Sequence, residues 1–212
     1  LVFSSLLGNV EGQNIYRIWY DKPASYWEEA LPVGNGRIAA MVFGDPQLEQ
    51  IQLNEETVSA GSPYQNYNEE AKAALPEMRR LIFEGKYEEA QNMAATKILS
   101  QVGNEMPYQT VGRLNIRYQD HKKVNNYYRD LDISNAMTVT RYKVDGVEFT
   151  EETFASFTDQ LVIRHIKASK PGAINCELFF NTPMRDPKRS IYGKKGLRLE
   201  GITHGSRYFP GK

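Results

Sequence analysis

The sequence predicts a mainly β protein: an antiparallel β-sandwich with a helical insertion over about residues 68–99. Three observations carry that prediction. Short apolar or alternating runs of strand length recur along the chain, from residues 15–20 to residues 197–200. Turn chemistry separates them, in Asp21-Lys22-Pro23, Gly44-Asp45-Pro46, Asp145-Gly146 and Lys170-Pro171-Gly172. Apolar spacing of three and four is confined to one stretch after Gly61-Ser62-Pro63. Many short strands punctuated by turns pack best as two facing sheets.

In chain order, residues 15–20 read as the first strand. Trp27, beside Glu28 and Glu29, reads as a core plug whose indole N–H finds a partner; a face exposed to stack a sugar ring is the weaker alternative. Val33-Gly34-Asn35-Gly36 is a tight-turn signal, because Gly and Asn tolerate positive φ. Ile38 to Phe43 is a nearly unbroken apolar run, the length of a strand buried on both faces. Leu48, Ile51 and Leu53 mark the next strand. It ends in Asn54-Glu55-Glu56-Thr57, a polar group placed as a loop at the end of a scaffold strand, where binding residues tend to sit.

The period then changes. Asn68 suits an N-cap, and Glu69 and Glu70 suit the positive end of a helix dipole. Ala71, Ala74, Leu75, Met78, Leu81 and Ile82 follow helical spacing, Pro76 predicts a kink or a new start, and Gly85 fits a C′ position. Tyr87, Ala90, Ala94 and Ile98 make a second amphipathic helix. The β pattern returns at residues 114–118 and 127–133. Residues 136–153 are the strongest hairpin signal: a type I′ turn at Asp145-Gly146 sets Val144 opposite Val147, Tyr142 opposite Phe149 and Lys143 opposite Glu148. Residues 161–168, 174–180 and 197–200 complete the strands, and the tail from Gly205 shows no period.

A chain of 212 residues can bury a sizeable core without disulfides. Its formal charge is zero, which points away from nucleic acid and anionic membranes as partners. No stretch is long enough to span a membrane as a helix. The 13 Tyr fit core and sheet-face packing. Cys176, in an apolar run, reads as an inert buried thiol. Residues 1–14 read as a leader or the remnant of a signal peptide, which gives a periplasmic or extracellular expectation.

His121, His165 and His204 are scattered without ligand spacing, so neither a metal site nor a cofactor is expected. Carboxylates are the remaining chemistry. Glu55 and Glu56 are sequence neighbours, as are Glu28 and Glu29; in an extended segment neighbours point to opposite faces and cannot flank one sugar. No catalytic residue is assigned. Trp27, Asn35, Arg37, Asn54, Glu55 and Glu56 are the candidates for substrate binding or an interdomain contact.

The run Trp27-Glu28-Glu29-Ala30-Leu31-Pro32-Val33-Gly34-Asn35-Gly36-Arg37, followed by Leu53-Asn54-Glu55-Glu56-Thr57, resembles the start of glycoside hydrolase family 95, the α-L-fucosidases. Residues 74–81, Tyr108-Gln109-Thr110-Val111-Gly112 and residues 154–160 are similar to the same family in the same order. The resemblance implies a supersandwich-like N-terminal domain over residues 15–212, bracing a catalytic α/α-barrel expected to be absent from this chain. It also implies inverting hydrolysis of α-1,2-linked L-fucose by the whole enzyme, with a fucosylated oligosaccharide as ligand and this chain inactive by itself. A stand-alone carbohydrate-binding module, with Trp19, Trp27 and Tyr64 stacking sugars, and an inactive remnant are the alternatives. Ser59 stands where the family usually has Trp, and Ala39 where Gly is common. Arg164 and His165 stand where apolar residues run, and an inward Arg is costly unless paired.

Overall fold

The strands form where the sequence alternates and stop where Gly, Asp, Asn or Pro bends the chain. The computed structural model describes residues 16–60, 67–100 and 107–205. Residues 1–14, read above as a leader, Gly61-Ser62-Pro63, Tyr64 and residues 206–212 lie outside the described residues. The chain divides into two compact units: Leu1–Glu56 with Val111–Thr182, and Thr57–Thr110 with Pro183–Lys212.

The first unit holds ten strands in two antiparallel five-stranded sheets, the β-sandwich that the sequence predicts. In chain order they are β1 (Arg17–Tyr20), β2 (Leu31–Gly34), β3 (Ile38–Val42), β4 (Leu48–Glu55), β5 (Gly112–Tyr118), β6 (Val124–Asp132), β7 (Met137–Val144), β8 (Val147–Ser156), β9 (Leu161–Ala168) and β10 (Cys176–Asn181). One sheet has the order β1-β6-β7-β8-β9 and the other β10-β5-β4-β3-β2. The β7–β8 hairpin has the predicted register, with Val144 opposite Val147 and Tyr142 opposite Phe149. Asp145 and Gly146 both take positive φ, 47° and 81°, as a type I′ turn requires. Lys143 pairs with Glu148 at 2.7 Å on the solvent face.

Inward residues of both sheets make the core. Val33, Ala40, Ile51, Ile116 and Tyr118 pack against Val162 and Ile166 of β9, and Tyr142, Val144 and Phe149 form a second cluster. Arg129 is also buried. Its Nε and Nη1 donate to the carbonyls of Lys22 and Glu29 at 2.8 and 2.7 Å, and its guanidinium lies 4.1 Å from the Tyr20 ring centroid. These bonds hold the segment between β1 and β2 against the sheet.

In the second unit, α1 (Ala71–Phe83) and α2 (Tyr87–Met93) form a helical hairpin that continues into a π-helical turn, Ala94–Ile98. Asn68 Oδ1 accepts from the Glu70 N–H at 3.0 Å just ahead of α1. Gly85, at φ 76°, ends α1: its N–H donates to Ile82 and that of Lys86 to Leu81, the paired bonds of a Schellman motif. This unit also carries a two-stranded antiparallel ribbon, β11 (Arg185–Tyr192) and β12 (Gly196–Ile202).

Several expectations need correction. β3 is not buried on both faces: Ala40 and Val42 are buried, whereas Ile38, Ala39 and Met41 are half-buried. α1 runs unbroken through Pro76. Tyr118 and Tyr142 are core, but Tyr16, Tyr26, Tyr67, Tyr87, Tyr108 and Tyr192 are exposed. Cys176 is half-buried, and burial pushes its thiol pKa up, as expected of an inert thiol. β2 and β11 gave no strand signal. β2 contains Pro32, which is tolerated because β2 ends its sheet; every residue of β11 is exposed, so no apolar alternation marks it.

Gly44 and Gly146 separate two costs of adding a side chain. Both have positive φ, 75° and 81°, but a Cβ at Gly44 would lie 2.7 Å from Tyr127 Oη and 2.9 Å from Arg129 Cδ, and one at Gly146 would meet nothing within 4 Å. Gly146→Ala should therefore cost about 1 kcal/mol from backbone strain alone, and Gly44→Ala at least about 2 kcal/mol. Urea denaturation of the two variants measures both; equal losses would contradict the steric difference.

Candidate functional site

The turn between β2 and β3 is built around one side chain. Asn35 Oδ1 accepts from the N–H groups of Arg37 and Ile38, at 3.1 and 2.9 Å. Its Nδ2 donates to the Ser156 carbonyl at 2.8 Å, at the end of β8 in the opposite sheet. Gly36 supplies the positive φ, 92°. Asn35 is buried and its amide is committed, so it shapes the turn and ties the two sheets together at this end of the sandwich.

Arg37 follows, exposed, and its Nε donates to Glu55 Oε1 at 3.1 Å. The β3–β4 register makes that contact: Ile38 lies opposite Glu55 and Ala39 opposite Asn54. Asn54 and Glu55 are thus strand residues, correcting their expected place in a loop, because the ladder runs two residues further than the apolar run suggests. Glu56 sits in the turn just beyond, its N–H donating to the Arg37 carbonyl at 3.0 Å.

Trp27 stands apart. It lies in a 3-10 turn before β2, at the far end of that strand from Asn35. It is 52% exposed, so it is not the core plug expected of it. Its neighbour Glu29 accepts from the Ser25 N–H at 2.8 Å, and that bond, more than any other contact, holds the carboxyl below its usual range.

A cleft of about 380 Å³ opens beside the Arg37–Glu55 pair, between the ends of the two sheets. Ile51, Leu53, Leu114, Val162 and Phe180 give it apolar walls; Asn54, Glu55, Gln160 and Arg164 are its polar groups. Phe180 is the aromatic ring among its described lining residues. Sequence reasoning missed Gln160 and Arg164 as cleft residues. Gln160 sits in the turn between β8 and β9 at φ 55°, and nothing in its residue type announces that position.

The described lining residues of the cleft hold no acid–base pair. Among its described lining residues Glu55 is the sole carboxylate, and it is paired with Arg37. Inverting hydrolysis needs two carboxyl groups about 6.5–9.5 Å apart across a bound sugar. The nearby acids Glu49 and Glu151 are 0% and 2% exposed and are occupied by buried hydrogen bonds.

Comparison with known proteins gives a consistent result. The family model described as glycosyl hydrolase family 65, N-terminal domain, matches residues 18–208. The chain is 36% identical over 181 residues to Alpha-L-fucosidase 2 of Arabidopsis thaliana, a match covering 82% of this chain and 21% of that protein. It is 26% identical over 162 residues to Probable alpha-fucosidase A of Aspergillus niger, covering 72% and 20%, and 25% identical over 174 residues to Probable alpha-fucosidase A of Aspergillus oryzae, covering 77% and 23%. The chain therefore spans about a fifth of the length of the curated relatives it matches.

The roles of Asn35 and Arg37 are separable. Asn35→Ala should cost about 2 kcal/mol, because it strands buried backbone groups in both sheets. Arg37→Ala should change stability by no more than about 0.5 kcal/mol, because its pair with Glu55 is open to solvent. Denaturant midpoints of both variants test this, and a larger loss for Arg37→Ala would reverse the assignment.

Proposed function

We propose, since this chain belongs to the family of glycosyl hydrolase family 65 N-terminal domains, that its sandwich braces the catalytic part of a longer fucosidase-like glycoside hydrolase and hydrolyses nothing by itself. One observation carries the reading. The N-terminal family model covers nearly the whole chain, while the match to the fucosidases covers only about a fifth of their length. The cleft supports it, with one carboxylate where inversion needs two.

In the finer form of the proposal, the braced part is the α/α-barrel implied by the resemblance to family 95, and its substrate is a fucosylated oligosaccharide. Asn35 and the Arg37–Glu55 pair then present a rigid rim to that barrel, together with Asn54 and Glu56, and Trp27 provides a separate exposed contact. Export to the periplasm or cell exterior belongs to the same proposal, and the apolar, small-residue run Leu1 to Leu7 supports it. A second reading, weak sugar binding by the isolated sandwich, is favoured by Trp19. It is 61% exposed and lies nearly parallel to Tyr128, with ring centroids 6.3 Å apart.

Turnover of 2′-fucosyllactose and of an aryl α-L-fucoside by the purified chain tests the main reading. No turnover is expected from the chain alone, and activity should appear when a barrel-bearing partner is supplied. Robust turnover by the chain that disappears in Glu55→Gln or Glu56→Gln would overturn the bracing role.

A further inference from the structure

Glu49 comes from β4 of one sheet, and Glu151 and Arg164 come from β8 and β9 of the other. The three side chains meet between the sheets. Arg164 Nη2 donates to Glu49 Oε2 at 2.6 Å and also to Glu151 Oε2, and Nη1 donates to Thr153 Oγ1 at 2.7 Å. Their side chains are 0%, 2% and 7% exposed for Glu49, Glu151 and Arg164. Two carboxylates share one guanidinium, so the fully ionised group holds one excess negative charge inside the protein. An uncompensated charge is expensive there.

One further buried cation, Arg129, acts on Glu49 through its charge and offsets the excess in part; the other neighbours are neutral or acidic. Tyr118 of β5 and Tyr142 of β7 donate to Glu151 Oε1 at 2.9 and 2.7 Å. His121 Nδ1 lies 3.3 Å from Tyr142 Oη and donates to the Pro46 carbonyl at 2.9 Å. Cys176 of β10 is a neutral thiol at the margin. On the β6 side, Tyr127 donates to the Gly44 carbonyl at 2.6 Å, and the Gly44 N–H donates to Glu49 Oε1 at 2.8 Å. Asp45, next in the chain, adds negative charge. Arg129 aims two of its nitrogens at backbone carbonyls.

We propose that Glu49 is a buried proton-binding site, holding a solvent-derived proton in the folded chain near neutral pH, and that its release weakens the hold of the two sheets on each other. Glu49 is the acid to take the proton because it is fully buried and no hydroxyl reaches it. Glu151 accepts from two hydroxyls and Arg164, whereas Glu49 accepts from Arg164 and from the backbone N–H groups of Gly44 and Gln50. Burial raises the Glu49 pKa to about 7; Arg164 opposes that rise and the charge of Glu151 adds to it.

The sign follows from linkage. The unfolded carboxyl has its ordinary value of 4.5, so the folded chain binds the extra proton between there and about 7. The stabilisation is complete at the acid end of that window and is lost as pH rises through the folded value. The folding equilibrium constant should fall by up to a few hundred-fold across it, roughly tenfold per unit of pKa difference.

Carbon-13 NMR of the full chain labelled at Glu Cδ reads the proton directly. One glutamate should keep its protonated shift to near neutral pH, and that signal should be absent in Glu49→Gln. Urea midpoints of the wild type should fall relative to those of Glu49→Gln as pH rises; titrations common to both cancel in the comparison. All glutamates titrating below about pH 5.5 in the wild type would overturn the proposal, as would parallel pH profiles. Should Glu49→Gln not fold, Glu151→Gln removes the excess charge and should move the high-pH titration down. An unmoved titration there would also overturn it.

Discussion

The sandwich depends on one buried guanidinium. Arg164 spans the gap between the sheets, and its hydrogen bonds to Glu49 and Glu151 are possible only when β4, β8 and β9 stand in one relative position. An apolar interface tolerates small slides; a shared ion pair does not, because losing one partner leaves the others charged and dry, at a cost of about 3–5 kcal/mol. The neighbouring side chains make the same demand. Tyr118 and Tyr142 point their hydroxyls at Glu151, and the stacked rings of Tyr142 and Phe149, 5.2 Å apart, fill the space beside them. The core is therefore apolar at its flanks and polar at its centre, and the polar centre sets the alignment.

That alignment places the candidate site. Arg164 lines the cleft whose rim carries Asn54, Glu55 and Gln160. Asn35 closes the same end by bonding across to Ser156, so the Arg37–Glu55 pair rests on backbone fixed from both sheets. Such a rim can present a fixed shape and charge pattern to a partner. Glu55 is the one carboxylate among the cleft's described lining residues, and the chain belongs with the N-terminal domains of fucosidase-like hydrolases.

The sequence determined what local chemistry can specify. Turn residues with special φ values fixed the β7–β8 hairpin and its register, since Asp145-Gly146 allows one tight turn and the flanking Tyr142, Val144, Val147 and Phe149 must share a face. Gly85 ended α1 for the same reason, and alternation placed β5, β9 and β12. The order of its motifs also carried the family resemblance. The Arg37 and Glu55 candidates were legible as residue types, though their contact was not.

Tertiary structure decided the rest, because pairing across distant strands leaves no local mark. Pro32 in β2 and the polar run of β11 read as loops until a neighbouring strand supplied their hydrogen bonds. Trp27 has the composition of a core residue, yet the turn that holds it faces it outward. Arg164 looked like a misplaced charge in an apolar strand. Its acceptable burial depends on Glu49, 115 residues away along the chain, and Glu151, 13 residues away, and only the packing of one sheet on the other brings those two carboxylates to it.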